Sequence, residues 1–175
     1  MAQIIDPPNP NFSTSFLSFI KDQEGLIKDP KTGSLVYQSL EGGTPTVGYG
    51  HKLTPDEIKA GSVYGNKVST LTEKDVESIL LEDLRRKQKT LDRSLNNKYG
   101  IGLSELPEET QEMLLDYEFN LGSALSVFPT FSEAVIAGDV ETARKEYERT
   151  YLDAKSKTRK PLEKRNKDFY ERYLK

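Results

Sequence analysis

The sequence contains no cysteine and a single histidine, His51, among its 175 residues. The absence of cysteine excludes disulfides, thiol nucleophiles and cysteine-ligated zinc, and it suits folding in a reducing cytoplasm. One histidine argues against a multi-histidine metal centre. It also excludes Ser-His catalysis unless His51 is itself the base.

Long apolar runs are also missing. No stretch approaches the roughly 18–20 apolar residues that a bilayer-spanning helix needs. The first eleven residues, MAQIIDPPNPN, have neither a basic start nor an apolar core, and their prolines disfavour a helix. We therefore expect an extended arm over residues 1–12, no Sec-type export signal and no stable membrane insertion.

The charge balance is mildly acidic but uneven. The whole chain has a formal net charge of −3, whereas residues 144–175 carry twelve Lys/Arg and six Asp/Glu. A solvated pair of helices explains this basic third most simply. The alternative is a surface that meets a polyanion such as a cell wall or a nucleic acid. Because the whole chain is acidic, we expect no nucleic-acid partner.

Hydrophobic periodicity and capping residues predict an α+β protein. Ser13 or Thr14 caps a first helix that ends near Gln23, and Thr72 caps a long helix that ends near Asn97. Between these helices we expect a small antiparallel sheet with a hairpin turning at Asp29–Gly33, then a short helix capped by Thr54 and a loop over residues 61–71. Later in the chain, Asp139 caps a helix predicted from Val140 to about Tyr151. The predicted organisation is one domain, 1–175, with an arm (1–12), a lobe with the sheet (13–71), a connecting helix (72–97) and a helical lobe (98–175).

One segment, Glu24 to His51, combines carboxylates, glycines and hydroxyls between the two helices. Glu24 ends the first helix, where the negative end of the helix dipole favours a protonated carboxyl. Glu41 lies beside two glycines, five residues before Thr46. Glycoside hydrolysis needs one protonated and one ionised carboxyl across a cleft. Taken singly, each residue is more simply a solvated helix end or turn.

The combination of motifs resembles a known family. Glu24-Gly25 followed by the run Thr46 to His51 (TVGYGH) is similar to the phage-type lysozymes, the endolysin muramidases of glycoside hydrolase family 24. The similarity extends from about Phe16 to Leu174. Further matching segments are Phe119-Asn120-Leu121-Gly122, Gly138-Asp139 and Lys164-Arg165-Asn166. The resemblance implies a lysozyme-like fold, in which a long helix joins a small N-terminal sheet lobe to a larger helical C-terminal lobe.

The resemblance also implies an activity. Members hydrolyse the β-1,4 bond between N-acetylmuramic acid and N-acetylglucosamine in bacterial peptidoglycan, with inversion and without a metal or other cofactor. It implies a monomer that serves phage lysis or penetration of the cell wall. The protein would stay in the host cytoplasm until a holin-like pore releases it, or travel in the virion. A glycan-binding module of the same fold that has lost catalysis is the alternative.

The spacing departs from the family pattern, in which eight residues separate Glu from Asp and five separate Asp from Thr. Here Glu24 and Thr46 are 22 positions apart (46 − 24) rather than 15, so the segment has seven extra residues. Glu41 is our preferred second carboxylate. Asp29 is an alternative, although its Asp-Pro turn points away from the cleft. If Ser39 occupies the family's Asp position, the second carboxylate is missing.

The resemblance assigns roles to these residues. Glu24 is the expected general acid, and Thr46 orients the attacking water. Glu41 activates that water or stabilises the oxocarbenium-like charge. Inversion predicts roughly 6.5–9.5 Å between the two carboxyl groups. Three further residues are candidates for substrate contact: Tyr49, His51 and Asn120. For His51 the simpler interpretation is a structural hydrogen bond at the corner between sheet and helix, and Asn120 could instead cap a turn.

Overall fold

The structure is a computed structural model that describes residues 12–38 and 43–175. The predicted arm, apart from Phe12, lies outside these ranges. The chain divides into two compact units, Met1–Arg86 and Lys87–Lys175, and each is described by itself. The helices are α1 (Thr14–Glu24), α2 (Pro55–Ala60), α3 (Glu73–Tyr99), α4 (Glu108–Leu121), α5 (Ala124–Val127), α6 (Pro129–Ala137), α7 (Val140–Glu146) and α8 (Glu163–Tyr173). The strands are β1 (Val36–Gln38), β2 (Pro45–Val47), β3 (His51–Lys52), β4 (Ser62–Val63), β5 (Asn66–Lys67), β6 (Thr150–Leu152) and β7 (Arg159–Pro161).

These elements confirm the α+β class. A small sheet lies in the first unit, helices dominate the second, and α3 contributes residues to both. The division into an arm, two lobes and a connecting helix stays a prediction. Within the described ranges, no helix combines the length and the apolarity that crossing a membrane requires.

Local signals set the ends of the helices in the first unit. The Ser13 hydroxyl accepts a hydrogen bond from the amide of Phe16 at 3.1 Å, and α1 ends at Glu24, as the capping pattern predicts. Thr54 and Glu57 form a reciprocal capping box at the start of α2. The predicted loop at 61–71 instead contains the short β4–β5 hairpin.

The three-stranded sheet has the antiparallel order β1-β2-β3. Tyr37 pairs with Thr46 and Thr46 with Lys52, while Val47 pairs with both Val36 and His51. Directly opposed residues point to the same face of a sheet, so two faces follow. The inner face carries Val47, which packs in an apolar cluster with Leu53, Val63 and Ile79. The outer face carries Tyr37, Thr46 and Lys52.

The predicted hairpin around Asp29 is only partly correct. A turn forms there, with the Asp29 amide donating to the Ser34 carbonyl at 2.8 Å and the Gly33 amide to the Asp29 carbonyl at 2.8 Å. However, residues 25–29 form no strand, and the partner of β1 is β2. The Asp29 carboxylate bonds the turn amides of Lys31 and Thr32, so the turn closes without a paired strand before it.

The corner after β2 approaches α3 closely. Gly48 has φ +55°, and a β-carbon built on it would lie 2.5 Å from Cβ of Val76 on α3. Only glycine satisfies both the backbone conformation and this distance. The amide of Gly48 donates to the carbonyl of Leu35 at 3.0 Å, which fixes the corner to the residue before β1.

His51 joins three elements of the first unit. Its Nδ1 lies 2.9 Å from Oδ2 of Asp83 on α3, and its Nε2 lies 3.2 Å from Oε2 of Glu57 on α2. Tyr64 donates its hydroxyl to Oδ1 of Asp83 at 2.7 Å. Burial alone would lower the pKa of His51, but the hydrogen bonds and charges of Asp83 and Glu57 outweigh burial and raise it. The two carboxylates therefore favour the protonated form of the ring.

The second unit is built around aromatic rings. Tyr117 on α4 stacks on Phe131 with 4.2 Å between ring centroids and meets Phe128 and Phe169 edge-on at 5.3 Å. The helix predicted from Val140 to about Tyr151 ends earlier, at Glu146, and an unpredicted β6–β7 hairpin follows.

The side chain of Asn166 on α8 explains the early end of α7. Its Oδ1 accepts from the Arg149 amide at 3.0 Å, and its Nδ2 donates to the Arg149 carbonyl at 2.9 Å. Both backbone groups of Arg149 are thereby bound, and neither is free to continue a helix.

A buried ion cluster lies beside these aromatic rings. Arg149 and Asp116 are both 0% exposed, with Nη1 of Arg149 2.7 Å from Oδ2 of Asp116. Nη2 of Arg165 lies 2.5 Å from the other oxygen of the same carboxylate. The Arg149 guanidinium also lies over the Tyr117 ring, 4.2 Å from its centroid. One carboxylate thus neutralises two buried or nearly buried guanidinium groups.

We predict that Asp116→Asn lowers the free energy of unfolding by about 3–5 kcal/mol, because two guanidinium groups then lose their counter-charge inside the protein. Urea unfolding followed by circular dichroism measures the change. The control is Glu133→Gln, which removes an exposed partner of Lys98 and should cost less than about 1 kcal/mol. Equal losses in both variants would contradict the buried-charge explanation.

We also predict that stability falls as pH rises above about 6.5, the ordinary histidine pKa. The raised pKa of His51 means that the folded state holds a proton that the unfolded state has released in this window. The stabilisation that protonated His51 contributes is therefore complete below about pH 6.5. It is lost as pH rises through the pKa of His51 in the folded state. Because His51 is the only histidine, unfolding measured from about pH 5.5 to 8.5 should show this slope in wild type and lose it in His51→Gln. A slope that persists in the variant would place its origin elsewhere.

Candidate active site

The end of α1 lies beside the glycine-rich corner of the sheet. Glu24, the last residue of α1, is half-buried. Gly50 has φ +97°, and a β-carbon at this position would lie 3.9 Å from Oε2 of Glu24. Glycine therefore leaves bare backbone beside the carboxyl group, where a larger side chain would occupy the space.

Tyr37 and Thr46 lie side by side on the outer face of the sheet, since they are direct partners in the β1–β2 ladder. Burial raises the pKa of the Tyr37 phenol, and the nearby charge of Glu24 raises it further. This influence places the Glu24 carboxyl within electrostatic range of Tyr37. Tyr37 was not among the predicted site residues, and the strand register is the signal that identifies it.

Thr46 is only 2% exposed, and its hydroxyl donates a hydrogen bond to the carbonyl of Thr44 at 3.0 Å. A threonine hydroxyl has one proton to donate and two lone pairs that accept. Because the proton is used within the turn, Oγ1 offers acceptor capacity to a neighbouring water or hydroxyl. A water that donates a hydrogen bond to Oγ1 directs the lone pairs of its own oxygen away from Thr46.

Of the residues considered for the position of the second carboxylate, only Asp29 lies among the described residues. Asp29 accepts hydrogen bonds from Thr32 and Lys31, and these bonds, that of the Thr32 amide first, lower its pKa. Its carboxylate is thus committed to its own turn. Glu41 and Ser39 lie outside the described residues, so the assignment of Glu41 stays a prediction.

The three residues predicted to contact substrate lie in different surroundings. Tyr49 is half-buried, with Nζ of Lys21 6.0 Å from its ring centroid. His51 has both ring nitrogens bonded to carboxylates, as described above, which favours the structural interpretation over a catalytic base. Asn120, in the second unit, has a buried Oδ1 without a hydrogen-bond partner among the described residues. Their contacts with substrate stay predictions.

The outer face of the sheet therefore combines two chemical capacities. A half-buried carboxyl, Glu24, can donate a proton to a group that approaches over Gly50. A hydroxyl on the adjacent strand, Thr46, can orient a water. In residues 12–38 and 43–175, no cluster of three or more His, Asp or Glu side chains is arranged to hold a metal ion.

The chain matches one family of known proteins. The family model "Phage lysozyme" matches residues 24–168, a range that begins at Glu24. A comparison with curated protein sequences finds no match.

Solved structures share the fold at low sequence identity. The muramidase domain of SpmX from Asticaccaulis excentricus superposes with a TM-score of 0.58 at 19% identity, covering 94% of this chain and 98% of that one. The endolysin from Escherichia coli O157:H7 phage FAHEc1 gives 0.58 at 21% identity, covering 94% and 93%. A mutant of P22 lysozyme gives 0.60 at 18% identity, covering 94% and 99%.

The lysozyme-like fold predicted from the sequence is thereby confirmed. The family match covers most of the chain and includes Glu24, Thr46 and the TVGYGH run. On this evidence the chain belongs to the phage lysozyme family.

Proposed function

We propose that this protein is a muramidase that hydrolyses the β-1,4 bond between N-acetylmuramic acid and N-acetylglucosamine in bacterial peptidoglycan. The observation that carries the proposal is the half-buried Glu24 carboxyl beside the bare backbone of Gly50, in a chain of the phage lysozyme family. A sugar ring can approach the Glu24 carboxyl over Gly50, because glycine places no side chain in this space.

In the proposed mechanism, Glu24 donates its proton to the glycosidic oxygen as the bond to the anomeric carbon breaks. Water attacks that carbon from the opposite side, so the configuration inverts. Thr46 accepts a hydrogen bond from this water and orients it. The proton that the water loses passes to the second carboxylate, for which Glu41 is our candidate.

Tyr37 supports this mechanism as a positioning residue. It pairs with Thr46 across the ladder and shares the outer face of the sheet with it. Its phenol also lies within electrostatic range of Glu24, whose charge raises the pKa of Tyr37. Tyr37 therefore acts through Glu24 and Thr46.

We propose a setting in phage lysis or in penetration of the bacterial cell wall. The protein would act as a monomer and reach peptidoglycan through a holin-like pore or from the virion. The alternative is a glycan-binding module of this fold that no longer cleaves. The commitment of the Asp29 carboxylate to its turn favours this alternative, because it removes one candidate for the second carboxylate.

We predict that Glu24→Gln reduces the release of reducing ends from purified peptidoglycan by about 10²–10⁴-fold, because the amide cannot supply the proton. Sedimentation with peptidoglycan should be retained. The control is Asp22→Asn, which removes an exposed carboxylate on the same helix and should leave the rate unchanged. If wild type sediments with peptidoglycan but releases no reducing ends, the glycan-binding alternative is correct.

We predict that Thr46→Val, which keeps the shape but removes the hydroxyl, lowers kcat on the order of 10²-fold, since the attacking water is no longer oriented. Thr46→Ser keeps the hydroxyl and should retain most of the activity. Thermal unfolding of both variants separates this effect from loss of the Thr44 hydrogen bond. Equal activity of the valine and serine variants would exclude a role for the hydroxyl.

A further inference from the structure

The β6–β7 hairpin of the second unit, residues 150–161, is held by hydrogen bonds at its tip and at its base. At its tip, Asp153 accepts hydrogen bonds from the amides of Lys155 and Ser156 at 2.9 and 2.7 Å. The Ser156 amide and, next, Nζ of Lys160, which donates to Asp153 at 2.9 Å, lower the pKa of Asp153 to about 2, so its carboxylate stays ionised. At its base, Asn166 binds both backbone groups of Arg149.

This hairpin exposes large apolar side chains. Leu152 is 64% exposed, the highest value among the exposed large hydrophobic residues of the described chain, and the adjacent Tyr151 is 45% exposed. Neither takes part in the aromatic core around Tyr117. Because consecutive residues of a strand point to opposite faces, Tyr151 and Leu152 form no single patch, and a partner that covers both must enclose the hairpin from both sides.

Cations surround these apolar side chains. In the ladder, Tyr151 pairs with Lys160 and Leu152 with Arg159, so each face of the hairpin carries one apolar residue and one cation. Lys155 and Lys157 add two further cations at the tip. Against four Lys/Arg, residues 150–161 contain one acidic residue, Asp153, which gives a net charge of +3 (4 − 1).

The mixture of apolar and basic side chains distinguishes between anionic partners. A dissolved polyanion is bound by cations alone, and exposed leucine contributes little to it. An anionic bilayer offers phosphates to the cations and an apolar layer just below them. Tyrosine suits this boundary because its ring is apolar and its hydroxyl is polar.

We propose that residues 150–161 dock on the surface of an anionic phospholipid membrane. Tyr151 and Leu152 enter the interfacial layer, and the basic side chains contact lipid phosphates. The docking is peripheral and reversible. It goes beyond the proposed cleavage of peptidoglycan, because it requires neither a glycan nor Glu24.

The chain contains no tryptophan, so one substitution provides a unique fluorescent reporter. Tyr151→Trp is expected to show a blue-shifted emission with vesicles of phosphatidylglycerol and phosphatidylcholine at low salt. The shift should be absent with pure phosphatidylcholine. It should weaken as salt is raised, because ions screen the attraction.

Two matched double charge reversals test the electrostatic contribution to membrane binding. Lys155→Glu with Lys157→Glu should weaken partitioning into phosphatidylglycerol vesicles at least about 25-fold, since each cation near an anionic surface contributes about a fivefold change. The control, Lys74→Glu with Lys89→Glu, makes the same charge change at exposed positions of α3. It should have a much smaller effect.

Leu152→Ser tests the apolar part and should also weaken partitioning. If the lysine reversals abolish binding but Leu152→Ser leaves it unchanged, the hairpin binds phosphate groups only and the membrane assignment is wrong. Absence of any wild-type binding at low salt would also overturn it. All hairpin variants should cleave dispersed peptidoglycan like wild type, so this outcome is independent of the test of Glu24.

Discussion

At Gly48 the backbone passes α3 at a distance that leaves no room for a β-carbon, which would meet Cβ of Val76 at 2.5 Å. This contact fixes the sheet corner, and the arrangement of the outer face depends on it. Because side chains alternate along a strand, holding Val47 in the apolar cluster turns Thr46 outward. Gly50, two residues further on, then lies beside Glu24. The chemistry of the outer face thus depends on packing at the inner one.

Both units connect their elements through a carboxylate that serves two partners. Asp83 bonds the His51 ring and the Tyr64 hydroxyl, and Asp116 bonds two guanidinium groups. Such shared acceptors determine the orientation of several elements at once, which apolar contacts do less specifically. They also make each network dependent on a single residue.

Local signals in the sequence predict much of the fold. The helix end at Glu24 and the caps at Thr54 and Thr72 depend only on neighbouring residues, and the structure agrees with them. Pairing between distant segments could not be predicted in this way. The partner of β1 and the position of Tyr37 depend on the register of the sheet. The early end of α7 depends on the side chain of Asn166, 17 residues beyond Arg149. The family resemblance was correct because its motifs lie at the ends of the altered segment.

The turn at residues 29–34 accounts for part of the extra length between Glu24 and Thr46. It begins and ends on one backbone hydrogen bond, from the Asp29 amide to the Ser34 carbonyl. A turn closed in this way adds residues to the chain but hardly changes the distance between the segments on either side of it. The entropic cost of closing a loop also rises only slowly with the number of residues in the loop. Most of the seven extra residues can therefore be accommodated without moving Glu24 away from the sheet. In this chain, the 22 positions between Glu24 and Thr46 therefore say little about how far apart the two residues lie.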